Sequence, residues 1–120
     1  MRKCFLLAAV CAATLPQAAH ATGGLSCRTA DPEPVEITLG FGHSPSAGLF
    51  LHRLRDDGEE IAVELSQWWM NGTEVRLALL SSDAMREEAV MSADWNEATR
   101  SYDGSIWRSG KRRWIRCREG

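Results

Sequence analysis

Few residues of this chain have the types and spacing that chemistry asks for. Beyond residue 21 there are two histidines, His43 and His52, and two cysteines, Cys27 and Cys117. The histidines are nine positions apart, and no His/Cys/Asp grouping has the spacing of a metal site, so no metal and no cofactor are expected. Glu59-Glu60, Glu64 and Glu87-Glu88 read as solvated strand positions, not as an acid–base pair. A nucleophile elbow fails at Gly42-His43-Ser44-Pro45-Ser46, which lacks the second glycine, and Gly40-Phe41-Gly42 lacks the rest of a dinucleotide fingerprint. No catalytic residue is assigned, and the chain is expected not to be an enzyme.

The cysteines have a simpler use. They stand at opposite ends of the chain and form no close C-x-x-C pair, which predicts one structural disulfide, Cys27–Cys117. Such a bond needs an oxidising compartment. Met1 to Ala21 supplies the route: Arg2 and Lys3, an apolar run from Phe5 to Leu15, and Ala19-His20-Ala21 make a Sec-type signal peptide in bacterial style. That run is too short to cross a bilayer and no second one follows, so no membrane span is expected. The expectation is a single exported domain, 22–120, periplasmic or secreted.

The stronger signal for recognition is Ser101 to Arg118, with Trp107, Trp114 and a dense basic charge. Residues 22–99 hold fourteen acids against five arginines; residues 100–120 hold seven cations against two acids. Tryptophan and arginine are favoured anchors of protein interfaces, which makes Trp107, Trp114, Arg112, Arg113 and Arg116 the candidate binding residues. The partner expected is a protein or an anionic envelope component. Nucleic acid is not expected, because the exported domain is net acidic. The opposing reading is that the indoles are covered and the cations offset acidic neighbours in a sheet.

The elements that would position these groups are strands. Gly110-Lys111 suits a type II′ turn, setting Trp107 opposite Trp114, Ile106 opposite Ile115 and Asp103 opposite Arg118. Ile106, Ile115, Gly104 and Cys117 then share one face, with the tryptophans on the other. Asp57-Gly58 suits a type I′ turn, pairing Leu54 with Ile61, His52 with Val63 and Phe50 with Leu65. A three-residue loop, Met70-Asn71-Gly72, with a bulge sets Gln67 opposite Val75 and Leu65 opposite Leu77. This gives a meander of about 49–55, 59–69 and 73–80, with Phe50, His52, Gln67 and Trp69 on its inner face. Val35 to Phe41 and Ala89 to Trp95 alternate as further strands, Trp95 being assigned to the core. Ser81 to Glu88 is expected to form one helical turn, and Gly42 to Gly48 an exposed loop that could serve as a recognition tip.

The fold expected is therefore all-β, a small antiparallel barrel or sandwich of about seven strands with one disulfide. In size, export, strands and disulfide the chain is similar to small periplasmic barrels such as the c-type lysozyme inhibitors. Ser44-Pro45-Ser46-Ala47-Gly48 departs from the Ser-Ala-Ser-Gly loop of that class, and no residue role carries over. The function expected is a small binding or inhibitor-like module. The alternatives are a structural accessory of an envelope complex, joined through a sheet edge, and a small-ligand barrel with His52 and Gln67 inside.

Overall fold

Nine antiparallel strands follow one another around a ring in the computed structural model, which describes residues 23–42 and 48–120. The signal-peptide reading of Met1 to Ala21 and positions 43–47 of the loop lie outside the described residues. The strands are β1 (Gly23–Thr29), β2 (Val35–Phe41), β3 (Leu49–Asp56), β4 (Glu59–Ile61), β5 (Val63–Met70), β6 (Glu74–Ser81), β7 (Glu87–Asn96), β8 (Ser101–Arg108) and β9 (Lys111–Glu119). Each pairs with its sequence neighbour, except that β4 and β5, separated by Ala62 alone, pair with β3 and β6 respectively. The first and last strands, β1 and β9, also pair, so the sheet curls into a nearly closed barrel. The strand count is nine, not seven. Among the described residues there is no helix long and apolar enough to cross a membrane.

Alternation of apolar and polar residues builds the interior. Leu25 and Cys27 of β1, Val35, Ile37 and Leu39 of β2, Val75, Leu77 and Leu79 of β6, and Ile106, Ile115 and Cys117 near the end of the chain are all buried. Cys27 and Cys117 face each other across the β1–β9 seam and are disulfide-bonded, as the sequence predicts. Gly104 lies opposite Ala93, where a Cβ would come within 2.0 Å of the Ser92 carbonyl oxygen. The backbones of β7 and β8 approach too closely there for any side chain.

Three registers differ from expectation, each for a local reason. The final turn is Ser109-Gly110, both at positive φ (54° and 75°), with Arg108 opposite Lys111. This is a type I′ turn ending in glycine, not a II′ turn beginning with it. Moving the turn by one residue shifts every partner by two, so Trp107 now faces Arg112 and Trp114 faces Ser105. Because the shift is even, the two faces keep their predicted membership.

At the β5–β6 hairpin the outcome is different. Asn71 Oδ1 accepts hydrogen bonds from the Thr73 and Glu74 amides, both at 3.0 Å, and Met70 pairs with Val75. Ser66 is then an extra residue between Leu65 and Gln67, a bulge that reverses the alternation. Trp68 and Met70 therefore point inward, while Gln67 and Trp69 are exposed.

The predicted strand 59–69 is broken at Ala62. Leu54–Ile61 and Arg55–Glu60 pair as expected, but His52 and Phe50 find no partners on β5. Twist accumulates between neighbouring strands, and one straight strand cannot follow both β3 and β6 around a closing sheet. His52 pairs with Leu39 and is half-buried, whereas Phe50 is the extra residue of a bulge and is 65% exposed. Residues 82–86 form a turn instead of a helical one: Asp83 Oδ1 accepts from the Ser81 hydroxyl and the Met85 amide, joining β6 directly to β7.

One end of the barrel is closed by charge. Arg108, only 11% exposed along its side chain, donates to Asp56 Oδ2 and to Glu88 Oε1, both at 2.8 Å. Glu88 is itself a bulge residue, skipped where Leu79 pairs with Ala89 and Leu80 with Glu87. Burial alone would lower the Arg108 pKa, and the bonds to Asp56 and Glu88 outweigh it.

Candidate functional site

The outer face of β8 and β9 is where most of the candidate residues converge. Alternation sends Asp103, Ser105 and Trp107 of β8 outward beside Arg112, Trp114, Arg116 and Arg118 of β9. Trp107 is 53% exposed and Trp114 49%. Trp107 also borders an open groove of about 360 Å3 with Val90 and Gly110. Arg112 Nε donates to the Ser105 hydroxyl at 3.0 Å, which holds it near its cross-strand partner Trp107.

Arg116 is fixed from two sides. Its Nε and Nη2 donate to the two oxygens of Asp103 at 2.7 and 2.9 Å. Its guanidinium lies 4.8 Å from the centre of the Trp114 ring, within cation–π range. Asp103 in turn accepts from Asn96 and Ser101. The Arg116 guanidinium, followed by those two donors, holds the Asp103 carboxyl well below the usual carboxylate range. The indole and its cation thus keep a set orientation without a partner present.

Arg113 is not part of this face. It shares the inward face of β9 with the buried Ile115, its side chain is 24% exposed, and Nη1 lies 3.5 Å from Asp31 at the charged end of the barrel. Four of the five candidate residues are brought together and Arg113 is separated from them. Of the expected core tryptophans, Trp95 packs edge-to-face on Tyr102 with ring centres 5.0 Å apart. Trp69 instead joins the outside at 53% exposure. A row of cross-strand pairs runs from it through Arg76, Ser92 and Ser105 to Trp114, so β5–β9 present three exposed tryptophans on one surface.

Two further cations belong to the site: Arg118, which the sequence places on the last hairpin but not among the binding residues, and Arg28, which it leaves unassigned. Arg28 of β1 stands directly opposite Arg116, and Ser26 directly opposite Arg118. With Trp114 they line an open groove of about 340 Å3. A signal for them exists: pairing Cys27 with Cys117 in antiparallel strands fixes Arg28 against Arg116 with no other information. Arg28 and Arg116 sit within a charged belt, in which Asp94 meets Asp103, Arg28 meets Glu36, Glu36 meets Arg55 and Arg55 meets Glu60.

Guanidinium groups stay protonated at any physiological pH. This face therefore offers fixed positive charge, hydrogen-bond donors and aromatic surface, the chemistry of recognition. His52 and Gln67 do not form an interior pair, since Gln67 is exposed. Among the described residues no group of three or more His, Cys, Asp or Glu side chains is placed to hold a metal ion. Comparison with protein-family models, with curated proteins and with solved structures finds no match.

Proposed function

We propose that this chain is a small exported binding module, inhibitor-like in kind, which engages a protein partner through the outer face of β8 and β9. The observation that carries the reading is the exposure of Trp107 and Trp114 on one face beside Arg112 and Arg116. The barrel already has a filled core, and the exposed halves of these indoles add little to folding by standing in water. Covering their exposed halves would remove on the order of 250 Å2 of apolar surface, worth roughly 6 kcal/mol before the costs of association. The disulfide fits a periplasmic or secreted location, where thiols are oxidised.

The test is site-specific photocrosslinking in the producing cell. A photoreactive residue at Trp107 is expected to capture a discrete protein partner, and the same residue at the exposed Arg55, elsewhere on the barrel surface, is not. Capture from Arg55 alone, or from neither position, would refute the proposal.

A second reading, an accessory that joins a larger envelope assembly by strand addition, has one observation behind it. Strand β5 is hydrogen-bonded to β6 only, leaving its other edge open beside β3. On that reading a proline at Glu64 would abolish capture and Trp107→Ala would not.

A further inference from the structure

The three guanidinium groups around Trp114 are arranged at a cost to the fold. Like charges directly opposite one another on neighbouring strands destabilise a sheet, yet Arg28 faces Arg116, and Arg118 lies one position further along the same outer row of β9. Two of the three are offset locally, Arg28 by Glu36 and Arg116 by Asp103. Arg118 is not. It donates at 3.4 Å to the Thr99 carbonyl and has no carboxylate within salt-bridge distance among the described residues. Other exposed cations also lack an anion, but Arg118 does so beside an indole and two more cations in an open groove, where it is free to take a negative partner.

The spacing says what form that partner takes. Arg116 and Arg118 are two residues apart on one strand, so their side chains leave the same face about 6.8 Å apart. An extended peptide projects alternate side chains with the same period. An acidic residue at one position would seat on Arg118, and the next on that side would reach Trp114 and Arg116. Arg116 already holds one carboxylate, Asp103, in the two-bond geometry that favours such a group, and Arg28 holds another, Glu36.

Building on the protein-partner reading above, we infer that the groove lined by Arg28, Arg116, Arg118 and Trp114 receives an extended acidic segment of that partner, with one carboxylate on Arg118. The segment lies along β9 and covers Trp114, while Trp107 meets the partner's neighbouring surface.

A blocked synthetic peptide alternating glutamate with threonine is the probe, read by tryptophan emission. Saturable binding is expected, weakening as salt is raised from about 20 to about 200 mM because the contacts are charged and near the surface. Arg118→Gln is expected to weaken it by about tenfold or more, the scale of one lost charge-assisted contact. Trp114→Phe should remove most of the emission change. Arg86→Gln deletes an exposed charge in the turn between β6 and β7, far from the groove, and should leave binding within about twofold at the higher salt, where a distant surface charge is screened.

No saturable binding overturns the inference, as does equal weakening by Arg118→Gln and Arg86→Gln. Binding of phosphatidylglycerol vesicles through Arg118, with none of the peptide, also overturns it and assigns the groove to a lipid phosphate. If Trp107 still captures a protein in the cell when the peptide does not bind, the acidic segment is refuted and the module reading stands. Failure of both refutes both.

Discussion

Arg108 and Asp56 are joined at 2.8 Å across 52 residues of chain, closing one end of the barrel with an ion pair that Glu88 completes. Two strand ends and a bulge converge on this single guanidinium. Removing it leaves two poorly solvated carboxylates close together. Arg108→Met is expected to destabilise the fold by roughly 2–4 kcal/mol, the range for breaking a partly buried charge network from one side. Arg86→Met, which removes an exposed cation paired with the same Glu88, is expected to leave the unfolding midpoint nearly unchanged. Urea unfolding midpoints of the two variants compare them directly.

Gly104 is the tightest point in the sheet. A methyl group there meets the Ser92 carbonyl and the Ala93 Cα, and both are backbone atoms that cannot rotate away. Gly104→Ala is expected to destabilise by about 1–3 kcal/mol or more, as overpacking does. Amide hydrogen exchange should show the loss of protection concentrated in β7 and β8.

Asp103 makes stability depend on pH in a defined direction. In the unfolded chain its carboxyl titrates at about 4, and in the fold Arg116 holds it lower. The unfolded chain therefore takes up the proton first as pH falls. The contribution of the pair is full above about pH 5 and drains away through about pH 4 and below. Wild type should exceed Asp103→Asn in melting temperature by a constant margin near neutrality, and the margin should shrink in acid. A margin that grows in acid would contradict the geometry.

Adjacent tryptophans should behave oppositely. Trp68 is stacked against Phe41 with ring centres 6.0 Å apart and packs on the core, whereas Trp69 is 53% exposed. Trp68→Ala is expected to destabilise by roughly 2–4 kcal/mol, and Trp69→Ala by about 0.5 kcal/mol or less. Thermal unfolding of the two single variants checks the order.

That pair also shows where sequence reading reaches its limit. Alternation and turn chemistry are enough for the all-β class, the Asp57-Gly58 turn and the outward direction of Trp107 and Trp114, and the cysteine positions are enough for the disulfide. They fail at bulges. A single extra residue at Ser66 exchanges Trp68 for Trp69, and no property of either indole announces it, because both sides of the choice are tryptophan. The bulge at Glu88 is equally silent, since a glutamate beside a glutamate reads as surface until Arg108 arrives from twenty residues away. The last hairpin was misplaced by one residue because Gly110 suits either of two turns. The error was harmless to the site, since faces survive an even shift of partners. Arg28 and Arg118 were within reach, because the cysteine pair alone specifies their neighbours.

The β1–β9 seam has a consequence for how the chain matures. Hairpins such as β8–β9 form from neighbouring residues and can appear early, but the seam joins segments 90 residues apart and carries the largest loop-closure entropy. Ring closure needs β9 beside β1, and the Cys27–Cys117 bond spans the pairing that brings them together. Sulfur chemistry here locks a shape already chosen, so a chain shortened before Cys117 would lose its latch and the strand that the latch secures.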